Sequence, residues 1–122
     1  MSPTQSEKDK TYNDLLTELF KHGVSKVQPQ VILKDYLSIN NKKIFVTDNN
    51  KKIIYSKIRK IFCLCIGKAA VEMAVTAKNI LNNTKKLEKG VVVVNSENFK
   101  NVKGFKCFKS GHPIPNKNGY KA

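Results

Sequence analysis

From Tyr12 to about His22, the apolar residues Leu15, Leu16, Leu19 and Phe20 recur at helical intervals, and Gly23 marks the predicted stop. Pro29 opens a second short helix carrying Val31, Ile32, Tyr36 and Leu37, because proline is well tolerated in a first turn. The pattern then shortens. Ile44-Phe45-Val46 and Ile53-Ile54-Tyr55 are β-type runs separated by the turn-rich Asp48-Asn49-Asn50-Lys51, which predicts a hairpin. Lys57 to Lys60 reads as a solvated connection. Ile61 to Ile66 is a continuous apolar run, predicted as a buried strand and ended by Gly67. A helix follows from about Ala69 to Asn82. Its predicted inward face is Ala70, Met73, Ala74, Ala77, Ile80 and Leu81, with Glu72, Thr76, Asn79 and Asn83 facing out. Lys89-Gly90 leads into Val91-Val92-Val93-Val94, the pattern of a parallel strand buried on both faces. A third strand is expected around Phe105 to Phe108. Residues Met1 to Lys10 are polar and are expected to be a disordered leader ahead of one domain, 11–122.

Strand, helix and strand within about thirty residues make a βαβ unit. The fold class expected is therefore α/β: a Rossmann-like parallel sheet flanked by helices, incomplete, with an N-terminal helical pair and a β-hairpin. If the strands are parallel, the loops at Gly67-Lys68, Asn95 to Asn98 and Gly111-His112 all leave the carboxyl edge of one sheet. In open α/β sheets that is the edge where ligands bind.

Composition narrows the partners. The chain has 122 residues and a formal net charge of +14, which raises nucleic acid as a partner. Yet Arg59 is the single arginine among 23 basic residues, and the lysines are scattered among asparagines and isoleucines. Nucleic-acid readers lean on arginine for bidentate contacts, so a general compositional bias explains the charge more simply. No leader peptide or membrane span is visible, and a cytoplasmic location is expected. Cys63, Cys65 and Cys107 are odd in number and sit among apolar residues, which fits a reduced compartment. Cys63 and Cys65 share one strand face. Their spacing with Cys107 and His112 matches no common zinc pattern, so no metal site is assigned and small buried hydrophobes are the better reading.

Lys68 is the most informative residue. A helix N-terminus carries partial positive charge, so a lysine there is unfavourable by ~0.3–1 kcal/mol unless an anion sits beside it. Neither the Walker A spacing nor the three-glycine dinucleotide fingerprint is present: Phe62 and Ala69 occupy the positions that a Walker A loop gives to glycine and a hydroxyl residue. The competing reading is a solvated lysine that snorkels out of the fold. His112 lies between Gly111 and Pro113, and the prolines at 113 and 115 restrict the backbone before them. A stiff loop presenting histidine at this edge suits hydrogen bonding or proton handling, and a structural histidine in a proline-rich turn is the alternative.

The combination of Ile66-Gly67-Lys68-Ala69-Ala70 with Met73, the strand Gly90 to Val94, and Gly111-His112-Pro113-Ile114-Pro115 resembles the N-terminal region of the glycerate 2-kinase family of the MOFRL-associated type. The resemblance runs from the first helix to Ala122. It implies ATP-dependent phosphorylation of glycerate to 2-phosphoglycerate, with ATP and Mg2+ as cofactors and Lys68 as the catalytic residue. Gly67, Ala69, Ser110, Gly111 and His112 would bind substrate or phosphate. Related sequences labelled hydroxypyruvate reductases rank second, since no nicotinamide fingerprint is present. The sequence departs from the family in two respects. Asn116 stands where the family usually has aspartate, and family members are far longer. The chain is therefore expected to be an N-terminal fragment that leaves sheet surface uncovered and needs a homo-oligomer or a complementary C-terminal chain. A non-catalytic anion-binding module and a basic nucleic-acid-binding domain remain as alternatives.

Overall fold

The apolar run Ile61–Ile66 is a strand, β4, and its neighbours are the valine-rich β5 (Leu87–Asn95) and β6 (Phe105–Ser110). All three are parallel, in the order β4-β5-β6, as the sequence predicts. The computed structural model describes residues 4–46, 51–54, 57–112 and 114–122. Helix α3 (Ala70–Leu81) connects β4 to β5. Ahead of this unit come α1 (Gln5–Lys26), α2 (Pro29–Tyr36) and a second sheet of β1 (Leu37–Asn40), β2 (Lys43–Val46) and β3 (Lys51–Ile54). A short α4 (Lys117–Tyr120) ends the described chain.

Helix α3 is held from two sides. Its Ala70, Val71 and Ala74 pack with Val92, Val94 and Val102 under the parallel sheet, against Cys65, Phe99, Phe105 and Cys107. Ala77 and Leu81 pack instead with Ile44 of β2, joined by Leu33, Leu37, Ile39 and Ile61. The alanines carry no side-chain entropy cost and let helix and sheet approach closely. Covering α3 on two sides rotates its inner face from the one expected. Thr76 is buried rather than outward, and Val71 is buried with it, while Met73 is 36% exposed. Thr76 tolerates burial because its hydroxyl donates to the Glu72 carbonyl at 2.9 Å. The helix ends without a glycine: Lys85 takes a left-handed φ of 54°, and the buried Thr84 hydroxyl donates to Leu81 O at 2.6 Å and accepts from Lys86 N at 3.1 Å.

Several other expectations are corrected. Helix α1 starts at Gln5 and runs through the predicted stop at Gly23 to Lys26. The break falls where Pro29, at the start of α2, ends backbone hydrogen bonding to the preceding turn. Helix α1 stands away from the body, with Leu15, Leu16, Leu19 and Phe20 all more than half exposed, so only α2 of the expected pair is laid against α3. Leu37 leaves the helix and starts β1, a strand absent from the sequence reading. It pairs antiparallel with β2 through Asn41 and Lys42, whose φ of 45° and 60° suit a two-residue hairpin. The predicted hairpin is present as β2 with β3, with Ile44 opposite Ile53. Its turn at Asp48 to Asn50, and Tyr55, lie outside the described residues.

The parallel sheet is covered on one face only. Val92 and Val94 are fully buried towards α3, whereas Val91 and Val93 are half-buried, so β5 alternates instead of being closed on both sides. On the opposite face Phe62, Leu64 and Ile66 are 67%, 66% and 68% exposed, and the register sets Leu64 beside Val91 and Ile66 beside Val93. This is the uncovered sheet surface that the sequence predicts.

Candidate functional site

Where β4 ends, Gly67 adopts φ of 117°, a conformation closed to most side chains although nothing crowds its missing Cβ. Its N–H donates to Val93 O of the neighbouring strand at 3.0 Å, and its carbonyl accepts from Ala70 N at 3.1 Å. One residue thus closes the strand and opens the helix. Lys68 follows and is exposed. Ala69 is the N-cap residue of α3 and, lacking a polar side chain, makes no side-chain cap to the first amides of the helix. The helix N-terminus beside Lys68 is therefore available to an external anion.

Strand β6 supplies the other half. Ser110 is half-buried at its last position, in register with Asn95 of β5. Gly111 follows, and a Cβ there would run into the Ile114 carbonyl oxygen and lie 2.9 Å from Asn116 Cγ. The chain folds back on itself at Gly111 too tightly for any other residue. His112 is exposed. Asn116 caps α4, its Oδ1 accepting from Asn118 N at 3.1 Å and Gly119 N at 3.3 Å. Asparagine and aspartate cap helices about equally well, so the residue keeps a structural task while the loop loses a negative charge.

The order β4-β5-β6 puts Gly67, Lys68 and Ala69 on one side of β5 and Ser110, Gly111 and His112 on the other, all at the carboxyl edge. Two strand spacings separate them, roughly 10 Å. A ligand that touches both must lie across the end of β5. Asn95 stands there, buried, with its Oδ1 accepting from Asn98 Nδ2 at 2.9 Å and its Nδ2 donating to Glu97 Oε2 at 3.4 Å. The sequence reading placed the Asn95 loop at this edge but did not single out the residue. Its signal was a polar side chain directly after four valines, where the strand meets the ligand edge.

A sizeable concavity lies elsewhere. A groove of about 900 Å³ runs between α2, β1 and the outer side of α3, lined by Lys34, Ile39, Val71, Thr76 and Asn79 among others. None of Gly67, Lys68, Ala69, Asn95, Ser110, Gly111 and His112 lines it. The groove borders the first turn of α3 through Val71 and Glu72 but includes neither the strained Gly67 nor either of the two loops, so the carboxyl edge remains the stronger site. Among the described residues no group of three or more histidine, cysteine or acidic side chains is placed to hold a metal, and no helix is long and apolar enough to cross a membrane.

Two solved structures share this architecture. The PH0495 protein from Pyrococcus horikoshii OT3 superposes with a TM-score of 0.70 at 24% identity, over 97% of this chain and 24% of that one. A glycerate kinase from Thermotoga maritima superposes with a TM-score of 0.64 at 25% identity, over 89% of this chain and 22% of that one. The chain thus spans about a quarter of the length of either protein. No curated protein matches it. A family model described as a domain of unknown function, DUF4147, matches residues 15–122, and the chain belongs to that family.

Proposed function

We propose that this chain carries one half of a phosphotransferase site that uses ATP to phosphorylate glycerate at its 2-hydroxyl, giving 2-phosphoglycerate. The observation that carries the reading is the convergence of Gly67-Lys68 and Gly111-His112 on one sheet edge, across the buried Asn95. Likeness to the Thermotoga maritima glycerate kinase supports it. Phosphoryl transfer depends chiefly on positioning and on neutralising charge at the transferred group. The Lys68 ammonium would do this at the γ-phosphate or hold the glycerate carboxylate, with the first amides of α3 as further donors. Ser110 would orient the substrate by hydrogen bonding. His112 would take the proton leaving the attacking 2-hydroxyl.

Magnesium would supply charge neutralisation at the nucleotide phosphates. Glu97 is the carboxylate at this edge that would hold it. A single carboxylate fits an ion that arrives with the nucleotide, since magnesium is commonly bound through one or two carboxylates plus phosphates.

The test is a titration of the 122-residue chain, followed by amide NMR, with glycerate, inorganic phosphate and Mg-ATP in turn, alongside a glycerate-dependent ADP-release assay. The expected result is movement of the amides of residues 67–69 and 110–112, lost in Lys68→Ala. Shifts confined to the groove between α2 and α3, or none, would overturn the reading. Phosphate binding at the edge without ADP release would favour the second reading, a non-catalytic anion-binding module, to which the uncapped N-terminus of α3 lends support.

A further inference from the structure

On β4, Cys63 and Cys65 point to the same face, and their Sγ atoms lie 3.7 Å apart. Both thiols are half-buried rather than sealed in the core, so the sequence reading of small buried hydrophobes is incomplete. We propose that Cys63 and Cys65 form a redox-active dithiol that closes reversibly to an intrastrand disulfide when the chain meets a small-molecule disulfide.

The geometry permits this bond and disfavours the others. Residues two apart in a strand have Cα atoms about 6.6 Å apart, inside the range of about 4.4–6.8 Å that disulfides span, though at its long end. The sulfurs must close by about 1.7 Å to reach the bonding distance of about 2.0 Å. The Cβ atoms of an extended strand are about as far apart as its Cα atoms, while a disulfide needs about 3.8 Å. β4, an edge strand, must therefore bend locally at Leu64 for the bond to form. Cys107 cannot substitute. It lies on β6 in register with Val92, which itself pairs with Cys65, so two strand spacings, roughly 10 Å, separate it from the pair. Its Sγ is also engaged, accepting from Val102 N at 3.4 Å and donating to Phe105 O at 3.7 Å.

The neighbouring thiol also prepares the nucleophile. By hydrogen bonding to the Cys63 thiolate, Cys65 pulls the Cys63 pKa down to about 7, and its own is pushed up in consequence. In the reaction the Cys63 thiolate attacks one sulfur of a disulfide such as oxidised glutathione, forming a mixed disulfide and releasing one glutathione thiolate. Cys65 then gives its proton to solvent and attacks Cys63 Sγ, expelling the second glutathione thiolate. The two thiols of the chain are oxidised and one glutathione disulfide is reduced to two thiols. A strand held at the long end of the disulfide range returns readily to the dithiol, which is what makes the step reversible.

Intact-mass analysis of the full chain, equilibrated with mixtures of reduced and oxidised glutathione and quenched with an alkylating reagent, tests this. The expected product has lost two hydrogens, takes one alkyl group at Cys107, and returns to three alkylatable thiols when reduced glutathione is in excess. Cys107→Ser should form the same bond with no free thiol left, while Cys63→Ser and Cys65→Ser should stop at a single glutathione adduct. Stable mixed disulfides on the wild-type chain, a bond that includes Cys107, or three thiols still free under oxidised glutathione alone would each overturn the proposal. Circular dichroism of each variant separates loss of the dithiol from loss of the fold.

Discussion

Asn95 of β5 and Ser110 of β6 are register partners at the carboxyl ends of adjacent parallel strands, and Asn95 is buried at 7% exposure. A buried amide there must be satisfied by its own loop, and Asn98 and Glu97 provide the partners. Asn95→Ala is expected to cost about 1–2 kcal/mol, measured by urea unfolding, because the loop loses its organising acceptor. Under the proposed function it should also weaken phosphate binding, since the floor between the two halves of the edge is no longer fixed.

Gly67 and Gly23 should respond in opposite ways to the same change. Gly67→Ala forces a side chain into φ of 117° and is expected to destabilise by about 1–3 kcal/mol. Gly23→Ala lies within α1, with nothing near the new Cβ, and should stabilise by about 0.4–1 kcal/mol. Paired urea or thermal melts read both signs. Equal effects would show that the turn at Gly67 is not held in this conformation.

Lys68→Ala is expected to leave unfolding within about 0.5 kcal/mol of the wild-type chain, because the side chain is exposed. Phosphate or glycerate affinity should nevertheless fall. Calorimetric titration alongside the melt distinguishes a binding residue from a structural one.

The uncovered sheet face makes a separable prediction. Leu64 is 66% exposed among Phe62, Ile66 and Val91, so Leu64→Lys should reduce concentration-dependent self-association and binding of an apolar dye, with little change in the melt. Val92→Ala, on the covered face of the same sheet, should instead cost about 2–3 kcal/mol through lost burial and a cavity. Analytical ultracentrifugation and urea unfolding read the two outcomes.

The alkylation rate of Cys63 should rise with pH through about 7, where its thiolate forms, and fall about tenfold per unit below that. In Cys65→Ser the inflection should change, because a hydroxyl stands where the partner thiol was. The sign for stability follows from the lowered value. With the folded pKa below the ordinary 9.0, Cys63 contributes stability that is lost as pH falls through about 7, and above 9.0 the raised pKa of Cys65 works against it.

The strand and helix at Ile61–Ile66 and Ala70–Leu81, the valine strand and β6 were legible because each follows a hydrophobic period set by local geometry alone. So was the convergence of the Gly67-Lys68 and Gly111-His112 loops, which follows once consecutive strands are parallel. Other features were not local. Thr76 is buried and Met73 exposed because α2 and β1 press on α3 from a second side. Leu37 becomes strand because β2 offers it a ladder through the tight turn at Asn41-Lys42. Asn95 gains its place between the two loops from strand order, and the Cys63 and Cys65 thiols meet at 3.7 Å through the rotamers that packing selects. The sequence by itself determined the strands and helix of the parallel unit and which edge carries the polar loops, since periodicity and turn chemistry act within a few residues. Only the tertiary structure decided which faces are covered, because burial depends on what arrives from distant parts of the chain.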